Sequence, residues 1–224
     1  MTNEEYNNKV EQFYFEKFSN DSAFQEIYLN NRFPVYRVIL KIINRLKIKS
    51  AIDIGCAYGL LVEMLNENGV DAWGLDLPIE NLQKIHQGFD FAKGKFQYGS
   101  ASDPEIVQQV ARRHFEAVII LDTLRYIGQP ENIDTFKPEY IIVKENTDSF
   151  YRKLAKMKEK IFMEEEVYSP HRCVELFSNY GAYEIYPSKY LFRVRLPGSL
   201  WLTLIDHIFP TYTMVLKRIN SPQS

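Results

Sequence analysis

The stretch Ala51-Ile52-Asp53-Ile54-Gly55-Cys56-Ala57-Tyr58-Gly59 constrains the fold more than any other part of the chain. A short apolar run carries one carboxylate and then breaks into a turn of small residues. Leu60, Leu61, Met64 and Leu65 follow at helical spacing. A strand, a small-residue turn and a helix in that order predict the first unit of a parallel α/β sheet, with a ligand crevice at the carboxyl end of the strand. Gly55, Ala57 and Gly59 let the backbone approach a bound molecule, and the N-terminal amides of the helix face the same space. Asp53 narrows what that molecule is. A carboxylate there repels a pyrophosphate and attracts an ammonium group.

Four more runs read as strands at residues 71–76, 96–102, 115–122 and 139–145. The second ends in Asp76 with Leu77 next, the third leads into Ser100 and Ala101, and the fourth ends in Asp122. In order and spacing these motifs resemble class I S-adenosylmethionine-dependent methyltransferases, over roughly residues 34–218. The resemblance implies a three-layer, Rossmann-like α/β fold with a sheet of about seven strands, mostly parallel with an antiparallel C-terminal end. It implies S-adenosylmethionine as cofactor. Asp53 would act near the methionine amino group and the loop of Gly55, Cys56, Ala57 and Gly59 near the carboxylate. Asp76 would hold the ribose hydroxyls, with Leu77, Ser100 and Ala101 beside the adenine and Asp122 completing the site.

A dinucleotide-binding fold also carries a strand, a glycine turn and a later acidic residue, but its outer glycines lie one residue further apart than Gly55 and Gly59. The remaining alternative is that these glycines only make a strand-to-helix turn. With 224 residues, 46% hydrophobic and 25% charged, the chain suits one domain with a sizeable core. A net charge of −2 gives no electrostatic reason to expect nucleic acid, and the basic stretch at residues 152–160 is balanced by Glu164, Glu165 and Glu166. Cys56 and Cys173 are the two cysteines, one of them in the loop, so a reducing compartment is expected over a disulfide scaffold. The N-terminus lacks the basic start and apolar run of a signal peptide, which points to the cytoplasm. Residues 199–209 are apolar but stop at Pro210, too short to span a bilayer; they pack on the sheet, rest on a membrane or line an acceptor pocket.

Residues 1–33 read as a helical extension, with Tyr6, Phe13, Tyr14, Phe15, Phe18, Phe24 and Tyr28 set among charged residues, either a lid or a capping element. Residues 34–224 read as the cofactor-binding domain. Val35, Val38, Ile39, Ile42, Ile43 and Leu46 define one buried helical face, with Pro34 suited to its first turn. Phe150, Leu154, Met157 and Ile161 repeat the helical spacing in a short insertion. Ser169 and Pro170 form an N-cap pair for a helix running to Tyr180 and stopped by Gly181, and residues 183–194 and 211–218 read as the last two strands.

Activation of the acceptor is less determined. After the fourth strand the chain reads Thr123-Leu124-Arg125-Tyr126, so the histidine base found there in related small-molecule enzymes is not inherited. Tyr126 is a candidate to orient an acceptor and His171 a candidate base, against a structural role for each. His86, His114 and His207 show no metal-ligand spacing. Asp122, Glu145 and Asn146 occupy positions where catechol-type O-methyltransferases hold Mg²⁺, which makes a magnesium-dependent enzyme the weaker alternative. The expected acceptor is a small molecule methylated on oxygen or nitrogen, such as a sugar, glycan or secondary-metabolite precursor. A second class of reading is a non-catalytic module that keeps the fold for a partner or regulatory role.

Overall fold

The computed structural model describes residues 22–88, 95–146, 168–187 and 211–219. Among them seven strands form one sheet: β1 (Ser50–Ile54), β2 (Asp71–Asp76), β3 (Phe96–Tyr98), β4 (Ala117–Leu121), β5 (Tyr140–Asn146), β6 (Tyr180–Pro187) and β7 (Thr211–Arg218). Their order is β3-β2-β1-β4-β5-β7-β6. Pairings among β1 to β5 are parallel, whereas β7 runs antiparallel to β5 and β6 antiparallel to β7. The order reverses between β1 and β4. That switch point places the crevice over the carboxyl ends of these strands, where α/β sheets bind their ligands.

Strand alternation sorts the apolar side chains into two cores, one on each face of the sheet. In β4, Val118 and Ile120 join one core, and Ala117, Ile119 and Leu121 the other. All five are buried, as a parallel strand covered on both faces requires. Helices α1 (Ser22–Leu46) and α2 (Leu60–Glu67) cover one face with Val38, Ile39, Ile42, Leu61 and Leu65. The other face is covered by Val107 and Val110, by Ile133 and Phe136 of the 3-10 segment Pro130–Phe136, and by Cys173. Val107 and Val110 belong to α4 (Pro104–Ala111) and Cys173 to α5 (Pro170–Leu176); α3 (Glu80–Gln87) follows β2. The result is the expected three-layer arrangement.

Three local expectations are corrected. Pro34 does not open its helix, because α1 begins at Ser22 and runs through it. A proline in a helix interior removes one backbone hydrogen bond and crowds the preceding turn at a cost of about 3 kcal/mol, and α1 nonetheless continues through it. The helix after Ser169 stops at Leu176, and Gly181 lies inside β6 instead of ending the helix. Tyr180 opens that strand because its ring is buried and its hydroxyl donates to the Pro138 carbonyl at 3.0 Å, while its backbone pairs opposite Arg218. The capping pair itself is as expected, with Ser169 Oγ accepting from the Arg172 amide at 3.2 Å and Pro170 in the first turn. The aromatic positions 6–18, the insertion at 150–161, residues 188–194 and the apolar segment 199–209 lie outside the described residues.

Candidate functional site

The turn after β1 is built from left-handed backbone. Gly55 and Gly59 both have φ 75°, and between them Ala57 has φ 46°. The Gly55 amide donates to the Leu75 carbonyl at 2.8 Å, so the turn starts by leaning on β2. Asp76, at the end of β2, then locks it. Its Oδ2 accepts from the Ala57 amide at 2.6 Å and its Oδ1 from the Leu77 amide at 2.7 Å. Burial of the carboxyl raises its pKa to about 6, against the opposing pull of these two amides. Asp53 is buried in β1, flanked by Gly74 of β2 and Ile119 of β4. Both carboxylates act on the Cys56 thiol, which burial in the first place, then Asp76 and Asp53, hold well above its usual pKa.

The Cys56 thiol is buried against Gly74 of β2. A Cβ on Gly74 would lie 2.6 Å from its sulfur, so the thiol fills the space that this glycine leaves. Beside it, Phe96 stacks on His86 with ring centroids 3.8 Å apart and planes 6° from parallel. His86 Nε2 lies 2.7 Å from the Ala57 carbonyl, and Nδ1 lies 3.1 Å from the Tyr98 hydroxyl. A carbonyl only accepts, so Nε2 carries the proton; burial lowers the imidazole pKa, and the neutral ring accepts from Tyr98 at Nδ1. A Cβ on Gly59 would meet Phe96 at 2.7 Å and His86 at 3.1 Å. The stacked pair thus explains the glycine at the loop's end.

Across the crevice, the chain leaving β4 closes over Gly55. A Cβ there would come within 2.3 Å of the Thr123 hydroxyl, which itself donates to the Leu121 carbonyl at 3.1 Å. Asp122 has φ 57°, and Lys144 Nζ sits 2.6 Å from both its carboxylate oxygens. Glu145 is fully buried and accepts from the Leu124 amide at 3.0 Å and from Arg125 Nη2 at 2.6 Å. Burial raises the Glu145 pKa, with the Arg125 guanidinium as the main opposing influence. These contacts fix the 3-10 turn Leu124–Tyr126 and leave the Tyr126 ring half-buried, with Arg125 5.9 Å from its centroid. Ser100 Oγ accepts from the Ser102 amide at 3.1 Å, and Ser102 Oγ accepts from the Gly128 amide at 2.7 Å, which ties the β3 exit to the β4 exit. His171 is half-buried, one residue inside α5.

The loop Gly55–Gly59 and Asp76 are therefore brought together by direct hydrogen bonds, with Leu77 half-buried against the Ala57, Tyr58, Ile79 and Leu82 cluster. Ser100 and Ala101 follow β3 beside them, half-buried. Asp122 stands at the neighbouring strand end, engaged by Lys144. The magnesium alternative does not fit this donor set. The carboxylates of Asp122 and Glu145 are each taken by a basic side chain, and no group of three or more His, Cys, Asp or Glu among the described residues is placed to hold a metal. Sequence reasoning passed over His86, Thr123 and Lys144. For His86 a signal exists in retrospect: Ile79, Leu82 and His86 share one helical face, and all three are buried.

No family model matches the sequence, and a search of curated proteins gave no significant match. Solved structures do match. A SAM-dependent methyltransferase from Anabaena variabilis aligns over 95% of this chain and 95% of its own, at 12% identity and a TM-score of 0.61. The chain has the class I methyltransferase fold. The magnesium protoporphyrin IX methyltransferase of Synechocystis, solved with bound SAH, shares that fold over 96% of this chain and 97% of its own, at 13% identity and a TM-score of 0.58. The small RNA methyltransferase HEN1 shares it at 16% identity and a TM-score of 0.55; the alignment covers 83% of this chain and 25% of that one. These methyltransferase-fold proteins have different acceptors, an RNA in one case and a porphyrin in another. The likeness is therefore one of architecture.

Proposed function

We propose that the chain is an S-adenosylmethionine-dependent methyltransferase acting on an oxygen or nitrogen of a small-molecule acceptor. The observation that carries this reading is Asp76. It ends β2, clasps the glycine turn through the Ala57 amide, and stands beside the strand that delivers Asp53. Carboxylates delivered by two adjacent parallel strands suit a ligand that has an ammonium group at one end and a ribose diol at the other.

The cofactor supplies a methyl group on a sulfonium, which passes in line to a nucleophile. The protein then has mainly to align the partners, which contributes up to about 7–11 kcal/mol in favourable cases. Asp53 attracts the ammonium end. Ionised Asp76 keeps acceptor capacity for the ribose hydroxyls beyond its two amide bonds. Leu77 and Ala101 offer apolar surface to the base, and Ser100 a hydroxyl. Asp122, held by Lys144, lines the side next to the acceptor. Tyr126 orients the acceptor from the rigid turn after β4, and His171 is the candidate to take its proton, an effect worth about 10²–10⁴-fold where it operates. A small acceptor is favoured by the net charge of −2 and by the sequence Asp122-Thr123-Leu124-Arg125 after β4, which lacks the Pro-Pro-Tyr core of many amino-methylating nucleic-acid or protein enzymes. Within the described residues no helix is long and apolar enough to cross a membrane.

Calorimetric titration with S-adenosylmethionine and S-adenosylhomocysteine tests the reading, with NAD as control and Asp53→Ala as the matched variant. Binding of both sulfur ligands at micromolar concentration, lost in Asp53→Ala and absent for NAD, is the expected outcome. A folded chain that binds neither ligand is a partner or regulatory module instead. Turnover to S-adenosylhomocysteine with small hydroxyl or amine acceptors, compared with short RNA duplexes, then decides the acceptor class.

A further inference from the structure

We propose that His86 is a positioning residue for the Gly55–Gly59 loop, holding the Ala57 carbonyl so that the loop keeps the shape that receives S-adenosylmethionine. The identity of the ligand rests on the methyltransferase reading; the geometry of the loop does not. Ala57 is the one residue of the turn that adopts left-handed backbone while carrying a Cβ, a conformation that L residues other than glycine avoid. It persists because the residue is held from both sides. Its amide donates to Asp76 Oδ2 at 2.6 Å, and its carbonyl accepts from His86 Nε2 at 2.7 Å.

The imidazole is in turn fixed on three sides. It is 1% exposed, lies flat on Phe96 at 3.8 Å, and is bonded at Nδ1 by the Tyr98 hydroxyl. Gly59 and Gly74 leave room for this stack, since a Cβ on either would come within 2.7 Å of Phe96. Asp76 and His86 both belong to the β2–α3 unit, so one unit grips the turn made by the preceding unit at both ends of a single residue. Asp76 has a second task at the ribose. His86 is assigned no such task, and its one hydrogen bond to the loop is the one to the Ala57 carbonyl.

Three variants in the full chain test this. His86→Phe keeps a ring on Phe96 and loses both hydrogen bonds. His86→Gln restores an N–H donor at about the position of Nε2, and Tyr98→Phe removes only the outer bond. The readouts are hydrogen exchange of the Ala57 amide, referenced to the Ile119 amide in the central strand, and affinity for S-adenosylmethionine. For His86→Phe we expect exchange at Ala57 about tenfold faster relative to Ile119, and affinity about five- to tenfold weaker. His86→Gln stays within about twofold of wild type, and Tyr98→Phe shifts both readouts about threefold in the same direction, which preserves the test if His86→Phe does not fold. Unchanged relative exchange and unchanged affinity, with or without a lower melting temperature, overturn the proposal by reducing His86 to a packing residue. A wild-type chain that binds no S-adenosylmethionine removes the methyltransferase reading and the ligand half of this inference, while the Ala57 exchange still decides whether His86 holds the loop.

Discussion

On the proposed reading Asp76 has two duties that pull its charge in one direction, clasping the loop and holding the ribose. The Ala57 and Leu77 amides favour the carboxylate, yet burial raises its pKa to about 6. Ribose hydroxyls donate to an ionised carboxylate and lose that acceptor when it is protonated. Affinity for S-adenosylmethionine should therefore be near full from about pH 7 upward, pass through half its value near pH 6 and fall by up to about tenfold per unit below it, as titrations at several pH values would register. Asp76→Asn should weaken binding at neutral pH and flatten this dependence; a profile that keeps its inflection in the variant assigns it elsewhere. Gly55 belongs to the same scale. Its φ of 75° and the Thr123 hydroxyl 2.3 Å from a Cβ both oppose a side chain. Gly55→Ala should cost about 2–4 kcal/mol in denaturant unfolding, and Thr123→Gly in the same chain, which also removes the Thr123 Cβ 2.8 Å away, should relieve the overlap and leave mainly the backbone share of about 1–2 kcal/mol together with the cost of the new glycine.

At the scale of elements, the segment after β4 is held by charge. Glu145 of β5 takes the Leu124 amide and the Arg125 guanidinium inside the protein, and Lys144, the next residue on the opposite face, takes Asp122. Adjacent residues of one strand thus fix the neighbouring strand's exit from both sides of the sheet. Arg125→Met leaves Glu145 buried without its cation and should destabilise the fold by about 3–5 kcal/mol in chemical denaturation; the double change Arg125→Met with Glu145→Leu should cost markedly less. If single and double variants are equally unstable, packing and not charge holds this turn. The cap of α4 is a smaller device. Asp103 accepts from the Glu105 amide at 2.8 Å with Pro104 in the first turn, so Asp103→Ala should cost about 1 kcal/mol. The contrast in size follows from burial, since the cap is exposed to water and the Glu145 pair is not.

At the scale of the whole molecule, the central strands carry the stability. Ile119 is fully buried in β4 between β1 and β5, and Ile119→Ala should cost about 2–5 kcal/mol by thermal or denaturant unfolding, because surrounding layers on both faces limit collapse into the cavity. The strands, the glycine turn, the acid ending β2 and the antiparallel end were legible in the chain itself. The strands and the turn rest on short-range patterns, apolar runs and small residues where the backbone turns left-handed, while the acid ending β2 and the antiparallel end were implied by the resemblance to class I methyltransferases. Pro34 misled because its helix begins well before it, at Ser22, and Tyr180 because a distant contact competed, drawing it into β6 by its buried hydroxyl bond to Pro138. What occupies each functional group was decided by tertiary structure alone. Nothing local in the sequence pairs His86 with the Ala57 carbonyl, Asp122 with Lys144, or Glu145 with Arg125, because these partners meet only after parallel crossover connections have stacked the strands. The sequence by itself determined a methyltransferase-type sheet with a loop and two acids at its switch point. The packed fold determined that the loop is clamped at Ala57 and that Asp122 after β4 and Glu145 in β5 are already paired with cations, since those contacts depend on how the strands and layers come together in space.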